Sequence, residues 1–304
     1  MFALLLHPAA RLSWTQFTVH PSTVIGISAL GLLYAWRARR GPSLSDRHPV
    51  TVTAIHPAPP EAAEALAGPR AGQRASFYVS LLLLFLTLNG PLHDLSDYYL
   101  FSAHMVQHLI MTLIVPPLMI LGTPGWMLRP LLRQPGLFRV ARSITGVIAC
   151  YAIFNVVLAF WHLPPMYNLA LRYHPLHIVQ HLMFLVAAVL MWWPLTSPLP
   201  ELPRASYPAQ MLYCFLMAIP MSVIAIYIVM ADATLYPAYA TAPRVWGISP
   251  MTDQQGGGLI MWIPSGIFFY SVMTVVFFKW VGRGEDNQAS AQVGWVAPSD
   301  VSAT

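Results

Sequence analysis

The chain has 304 residues, of which 57% are hydrophobic and only 9% charged. A soluble domain carries about 25% charged residues, so the composition excludes an ordinary soluble fold and points to an all-α integral membrane protein. The formal charge of +5 would suggest an acidic partner in a soluble protein. Its placement here reports topology instead and gives no reason to expect nucleic acid.

Seven apolar stretches follow in order, at 20–36, 76–91, 101–122, 143–161, 176–195, 208–231 and 257–281. Most approach the ~20 residues that a helix needs to cross the hydrocarbon core. The runs are continuous rather than alternating, which favours helices over barrel strands and predicts a bundle of about seven transmembrane helices. Residues 1–40 hold the first helix; they lack the basic flank and cleavage site of a signal peptide, so this crossing is expected to be retained. Residues 41–75, rich in Pro, Ala and Gly, read as a flexible cytoplasmic linker. Residues 76–283 form a six-helix membrane domain with short loops. Within it Pro116 and Pro117 are expected to kink the third segment, Gly122–Gly125 to form a turn, and 129–142 to include a short interfacial helix. Residues 284–304 are small and polar and read as a disordered tail.

Thirteen of the 16 basic residues follow the first, third, fifth or seventh segment, beginning with Arg37, Arg39 and Arg40 and ending with Lys279 and Arg283. Only Arg11, Arg172 and Arg244 fall on the other side. The positive-inside rule then puts the N-terminus outside and the C-terminus in the cytoplasm. The two cysteines, Cys150 and Cys214, lie inside predicted helices with no Cys-x-x-Cys spacing, which argues against a thiol redox motif or a disulfide framework.

The residues that carry chemistry are histidines. His104-Met-Val-Gln-His108 recurs as His177-Ile-Val-Gln-His181, and each i, i+4 pair lies on one face of a helix. Imidazole is costly near lipid unless it is paired, solvated or metal-bound, so His104, His108, His177 and His181 are the expected metal site. Both copies begin an outside-to-inside helix, as duplicated helices around an axis along the membrane normal would. His93, His162 and His174 map to the same side and are possible further ligands. Asp94, Asp97, Asp232, Asp253, Gln254 and Gln255 also lie there, as ligands or as groups that fix histidine tautomers. Met105 and Met166 read either as core packing or as thioether ligands that favour Cu(I). Gln107 and Gln180, repeated with the histidines, would hold a ligand's second ring nitrogen or bond between helices. Asp253 precedes Gly256-Gly257-Gly258 and would serve the site or simply charge a helix start. Haem competes with a metal ion, but four residues climb only ~6 Å, which leaves room for at most one haem and strands two histidines.

Three blocks are familiar in combination. The first is His104-Met-Val-Gln-His108 with Pro116-Pro117 and Gly122-Thr123-Pro124. Trp161-His162-Leu163-Pro164-Pro165-Met166-Tyr167, His177-Ile-Val-Gln-His181 and Trp192-Trp193-Pro194-Leu195 form the second. Asp253-Gln254-Gln255-Gly256-Gly257 with Met261-Trp262-Ile263-Pro264 is the third. Over residues 76–281 they resemble the CtaG family of multi-spanning assembly factors for caa(3)-type cytochrome c oxidase, which is not the single-span copper chaperone of the same name. The resemblance implies a non-enzymatic part in maturing the oxidase through its copper centres, oxidase subunits as partners, and a multi-pass place in the bacterial plasma (inner) membrane. It supplies no ligand set, so the site rests on the residues themselves. The expectation is an assembly factor whose outer-side histidines bind copper and deliver it. The alternatives are a haem-binding membrane protein in electron transfer or haem delivery, and a proton-coupled transporter with the histidines as protonation sites. Against the transporter stands the lack of an inverted repeat.

Overall fold

The computed structural model describes residues 17–42 and 68–293. Most of the expected linker (43–67, with His48 and His56), the first sixteen residues with His7 and Arg11, and 294–304 of the expected tail lie outside the described residues. All regular structure among the described residues is helical: α1 (Pro21–Arg40), α2 (Ala71–Thr87), α3 (Pro91–Tyr98), α4 (Phe101–Leu121), α5 (Gly125–Leu132), α6 (Pro135–Ile144), α7 (Val147–His162), α8 (Pro164–Arg172), α9 (His174–Thr196), α10 (Tyr207–Val229), α11 (Pro237–Ala240) and α12 (Pro250–Val293). The backbone of α12 runs on to Val293, ten residues into the segment read from composition as a tail.

Four helices are long and apolar enough to cross a membrane: α4, α9, α10 and α12 over Pro250–Arg283. Two bent pairs raise the number to six, α2 with α3 at 46° and α6 with α7 at 73°. The α1 helix carries Ser22, Thr23 and Ser28 and ends on Arg37, Arg39 and Arg40, and it falls short of the same standard. The inside-out distribution of side chains agrees with a membrane setting. Leu82, Ile148, Val156, Val186, Val223, Ile267 and Phe278 face outward, while Gln107, Gln180, Asp253 and the paired histidines are buried. Apolar surface of that extent is not kept in water, and lipid requires polar groups to turn inward.

The break between α2 and α3 has a local cause. Gly90 takes a positive φ of 71°, open to glycine at little cost, and Pro91 starts the next helix. The N-terminal end of α1 docks on this corner: Gly90 N–H donates to the Thr18 carbonyl (2.9 Å), His20 N–H to Asn89 Oδ1 (2.8 Å) and the Thr18 hydroxyl to Asp94 (2.7 Å).

At Pro116 and Pro117 α4 carries on as one span to Leu121, with a π-turn over Ile110–Ile114 just before them. A proline at 116 leaves the Thr112 carbonyl without its i+4 donor. The Trp192 indole of α9 supplies one at 2.9 Å, which ties α9 to α4 directly below the histidines. Small residues permit close packing at the other contacts. A side chain at Gly257 of α12 would fall on the Phe101 ring of α4, and one at Gly258 would meet Val229 of α10 at 2.6 Å. The bulk of the buried core joins α4, α7, α9, α10 and α12, with Met105, Met111, Phe154, Phe184, Ala187, Met217 and Phe269 at its centre. Arginines gather at the opposite end from the paired histidines, where Arg129 pairs with Glu201 at 2.9 Å and Arg204 donates to the Ser197 carbonyl.

Candidate metal centre

Helices α4 and α9 lie side by side and point the same way, so their repeated strings meet. Ring centroids are 4.3 Å apart within each pair, and across the helices His104–His177 is 5.6 Å and His108–His181 is 5.4 Å. All four residues are buried. His162, at the last turn of α7, adds a fifth ring 6.4 Å from His108. One nitrogen each from His104, His108 and His181 lies within 4.8 Å of the others; a second such group is Asp97, His104 and His177. These spans suit an ion of the kind held at about 2 Å by each imidazole.

The partners of these rings decide which nitrogen carries a lone pair. The Tyr239 hydroxyl gives its proton to the Ser96 carbonyl at 2.6 Å, because a carbonyl can only accept. Its oxygen therefore accepts from His104 Nδ1, 3.2 Å away, and the lone pair of His104 falls on Nε2. Burial, above all, holds the Tyr239 phenol well above its ordinary range, with Asp97 adding to the shift, so the proton stays on. The His162 Nδ1–H donates to the Leu158 carbonyl at 2.7 Å. His177 Nδ1 sits 3.3 Å from Asp97 Oδ2, and a carboxylate oxygen likewise accepts. In all three rings Nδ1 is spent as a donor and Nε2 is left as a ligand nitrogen, as hydrogen-bonded carboxylates and carbonyls do around metal-bound histidines. The Nε2 atoms of His104, His162, His177 and His181, and both nitrogens of His108, are buried with no hydrogen-bond partner. A buried unsatisfied group costs about 1–3 kcal/mol. Such nitrogens, aimed at one another, are a donor set that a cation would fit.

The remaining predicted residues divide. His93 is buried beside the cluster, but both its nitrogens are occupied: Gln107 Nε2 lies 3.1 Å from Nδ1, and Asp97 Oδ2 lies 3.4 Å from Nε2. Gln107 also donates to the Thr87 carbonyl at 2.8 Å, so it orients a ring as anticipated, although that ring is His93. Gln180 is equally buried, and neither of its amide atoms has a partner. Asp253 does not reach the rings. Its carboxylate caps the N-terminus of α4 from α12, accepting from Phe101 N–H at 2.6 Å and from Ser102 N–H at 3.0 Å. Asp94 accepts from Thr18 at the corner beside α1. His174 stands at the start of α9, 5.7 Å from the His20 ring. Met105 is fully buried next to His108, whereas Met166 packs at the core's edge. Asp97, Tyr239 and Ser96 are neighbours of the rings that spacing gave no means of ranking. Tyr239 is 135 residues from His104, in the four-residue helix α11, where the sequence offered no motif.

Two cavities adjoin the rings. One of about 450 Å³ runs between α1, α2 and α9 and is lined by Leu30, Leu84 and Leu182 together with His20, His93, His174, His177 and His181. The second, of about 20 Å³, is lined by His108, His162 and three methionines.

Fold and site together define an all-α membrane protein with a buried, imidazole-rich centre between parallel helices. Within that class, the chain belongs to the cytochrome c oxidase caa3 assembly factor family (Caa3_CtaG), whose family model matches residues 61–283. It is also similar to two mycobacterial proteins, uncharacterized protein Mb0105 of Mycobacterium bovis and uncharacterized protein MT0111 of Mycobacterium tuberculosis. Each is 23% identical over 214 residues, which is 63% of this chain and 32% of the relative. The chain thus spans about a third of the length of the curated relatives it matches. No solved structure matches it.

Proposed function

We propose that the protein is a non-enzymatic assembly factor of the bacterial plasma membrane that carries copper to a cytochrome c oxidase subunit, the ion being cargo held among His104, His108, His177 and His181. The single observation behind this reading is the convergence of lone-pair nitrogens: His104, His108 and His181 nitrogens lie within 4.8 Å of one another, and His104 Nε2, His181 Nε2 and both His108 nitrogens lack any other partner. Imidazole suits copper and zinc alike; oxidase assembly, the family's role, favours copper. On this reading α1 joins the six other segments as a seventh crossing, the N-terminus is outside, and the histidine end faces out, opposite the arginines. The 450 Å³ cavity supplies a route to the rings. Haem finds less support, because each histidine pair climbs only ~6 Å along its helix, which leaves room for at most one haem and leaves two histidines without a role.

Metal analysis with an optical spectrum of the purified full-length protein tests the reading. Copper bound by the wild type, and lost when His104, His108, His177 and His181 are all changed to Ala along with oxidase activity in cells, is the expected result. Copper-free wild-type protein after copper supplementation, or a Soret band, refutes it.

A further inference from the structure

Among the described residues, the small cavity beyond His108 carries an assignment of its own. It is lined by Met105 of α4, Met221 of α10 and Met261 of α12 together with His108 and His162. The three methionines are almost wholly buried, at 1%, 2% and 3% exposure. Methionine often fills core gaps, and three of them around an apolar void would call for no comment. Two buried imidazoles in the same wall are the anomaly, because the His162 Nε2 and both His108 nitrogens have no partner. An apolar void gives such atoms nothing. A water would find partners in the His108 and His162 rings but would leave the thioethers idle.

We propose that this cavity is a soft-cation station, in which Cu(I) is held by His108 and His162 nitrogens and by thioether sulfur from Met105, Met221 and Met261. The assignment deepens the copper reading and rests on it. Thioethers select Cu(I) over divalent ions, while imidazole binds both. The His104, His108 and His181 group nearer the 450 Å³ cavity brings three nitrogens together, and the deeper wall sets two imidazoles beside three thioethers. His108 belongs to both. An ion passing inward keeps its bond to His108, gives up His104 and His181, and gains His162 and sulfur. It remains Cu(I) throughout, so no electron or proton needs a further partner. The ~20 Å³ volume matches a single ion, which predicts one deep Cu(I) per chain.

The test uses full-length protein in detergent under reducing, anaerobic conditions. X-ray absorption of the Cu(I)-loaded wild type should show sulfur as well as nitrogen scatterers. Cu(I) affinity, measured by competition with bicinchoninate, should fall at least about tenfold in a Met221→Leu/Met261→Leu variant, while Cu(II) affinity stays within about twofold. Leu conserves the volume of Met, so the fold should persist. Nitrogen-only scattering in the wild type overturns the station whatever the variant does, and so does unchanged Cu(I) affinity in the variant; copper handling by the histidines would survive both results. Wild-type protein that binds neither Cu(I) nor Cu(II) removes both readings.

Discussion

Replacing His108 with Leu separates stability from binding, because the two should move in opposite directions. Both ring nitrogens of His108 are buried without a partner, and the ring packs on Phe184 at a centroid distance of 4.6 Å. Each orphan nitrogen costs about 1–3 kcal/mol. An apolar side chain of similar size removes both costs and gives back less than about 1.5 kcal/mol in imperfect packing. The metal-free variant should therefore be more stable than metal-free wild type by on the order of 2 kcal/mol, or several degrees in melting temperature at roughly 2–4 °C per kcal/mol. Copper acts the other way. At a hundredfold excess over its dissociation constant an ion that binds only the folded state adds about 2.7 kcal/mol, and the variant should lose that increment. Tryptophan fluorescence of the detergent-solubilised protein during heating, with and without copper, reads both effects; the chain has 10 Trp residues. A variant that melts lower than wild type when metal-free and is still raised equally by copper would show that His108 is a packed core residue and no ligand.

Changing Tyr239 to Phe removes the oxygen that accepts from His104 Nδ1 at 3.2 Å and frees the ring to turn; copper affinity should fall roughly 10–100-fold, and a change under about twofold in chelator competition speaks against a fixed tautomer. Asp253→Ala strips the acceptor from Phe101 N–H and Ser102 N–H at the start of α4, with an expected loss of about 1–2 kcal/mol, the upper part of the range for a helix cap. An unaltered melting curve would mean that α4 is anchored elsewhere.

The paired histidines were legible because a helix repeats every 3.6 residues and both strings are local. What the spacing could not show is which nitrogens are free. That depends on Tyr239, Asp97 and Leu158, and two of those three come from other helices or loops. Asp253 illustrates the same limit differently. Its position before an apolar run correctly suggested a helix start, yet the helix it caps is α4, 151 residues away at Ser102, and not its own. The count of crossings was the least legible feature. Segment 76–91 breaks at Gly90-Pro91, and the apolar stretch of 143–161 joins an amphipathic helix, α6, at 73°. Composition shows apolar length, but it does not show where a glycine or proline lets the chain turn.

If the protein carries copper as proposed, burial and access make opposing demands on it, and the ring arrangement would meet both through geometry. An ion among His104, His108 and His181 is shielded, since His104 is wholly buried and His108 and His181 are 5% and 8% exposed. Toward the end where α1 docks, the rings step outward, from His177 to His93 at 6.3 Å and from His93 to His20 at 4.4 Å. Asp97 stands between His93 and His177, 3.4 and 3.3 Å from their nitrogens. A buried carboxylate without compensation is expensive, and Asp97 faces donors from these two rings and from the Ser96 hydroxyl at 3.0 Å. The carboxylate thus fixes both imidazoles on the side of the 450 Å³ cavity, and it also places negative charge where a cation must pass. On the copper reading proposed above, Asp97 would both orient the ligands and lower the electrostatic cost of moving a cation through an apolar wall.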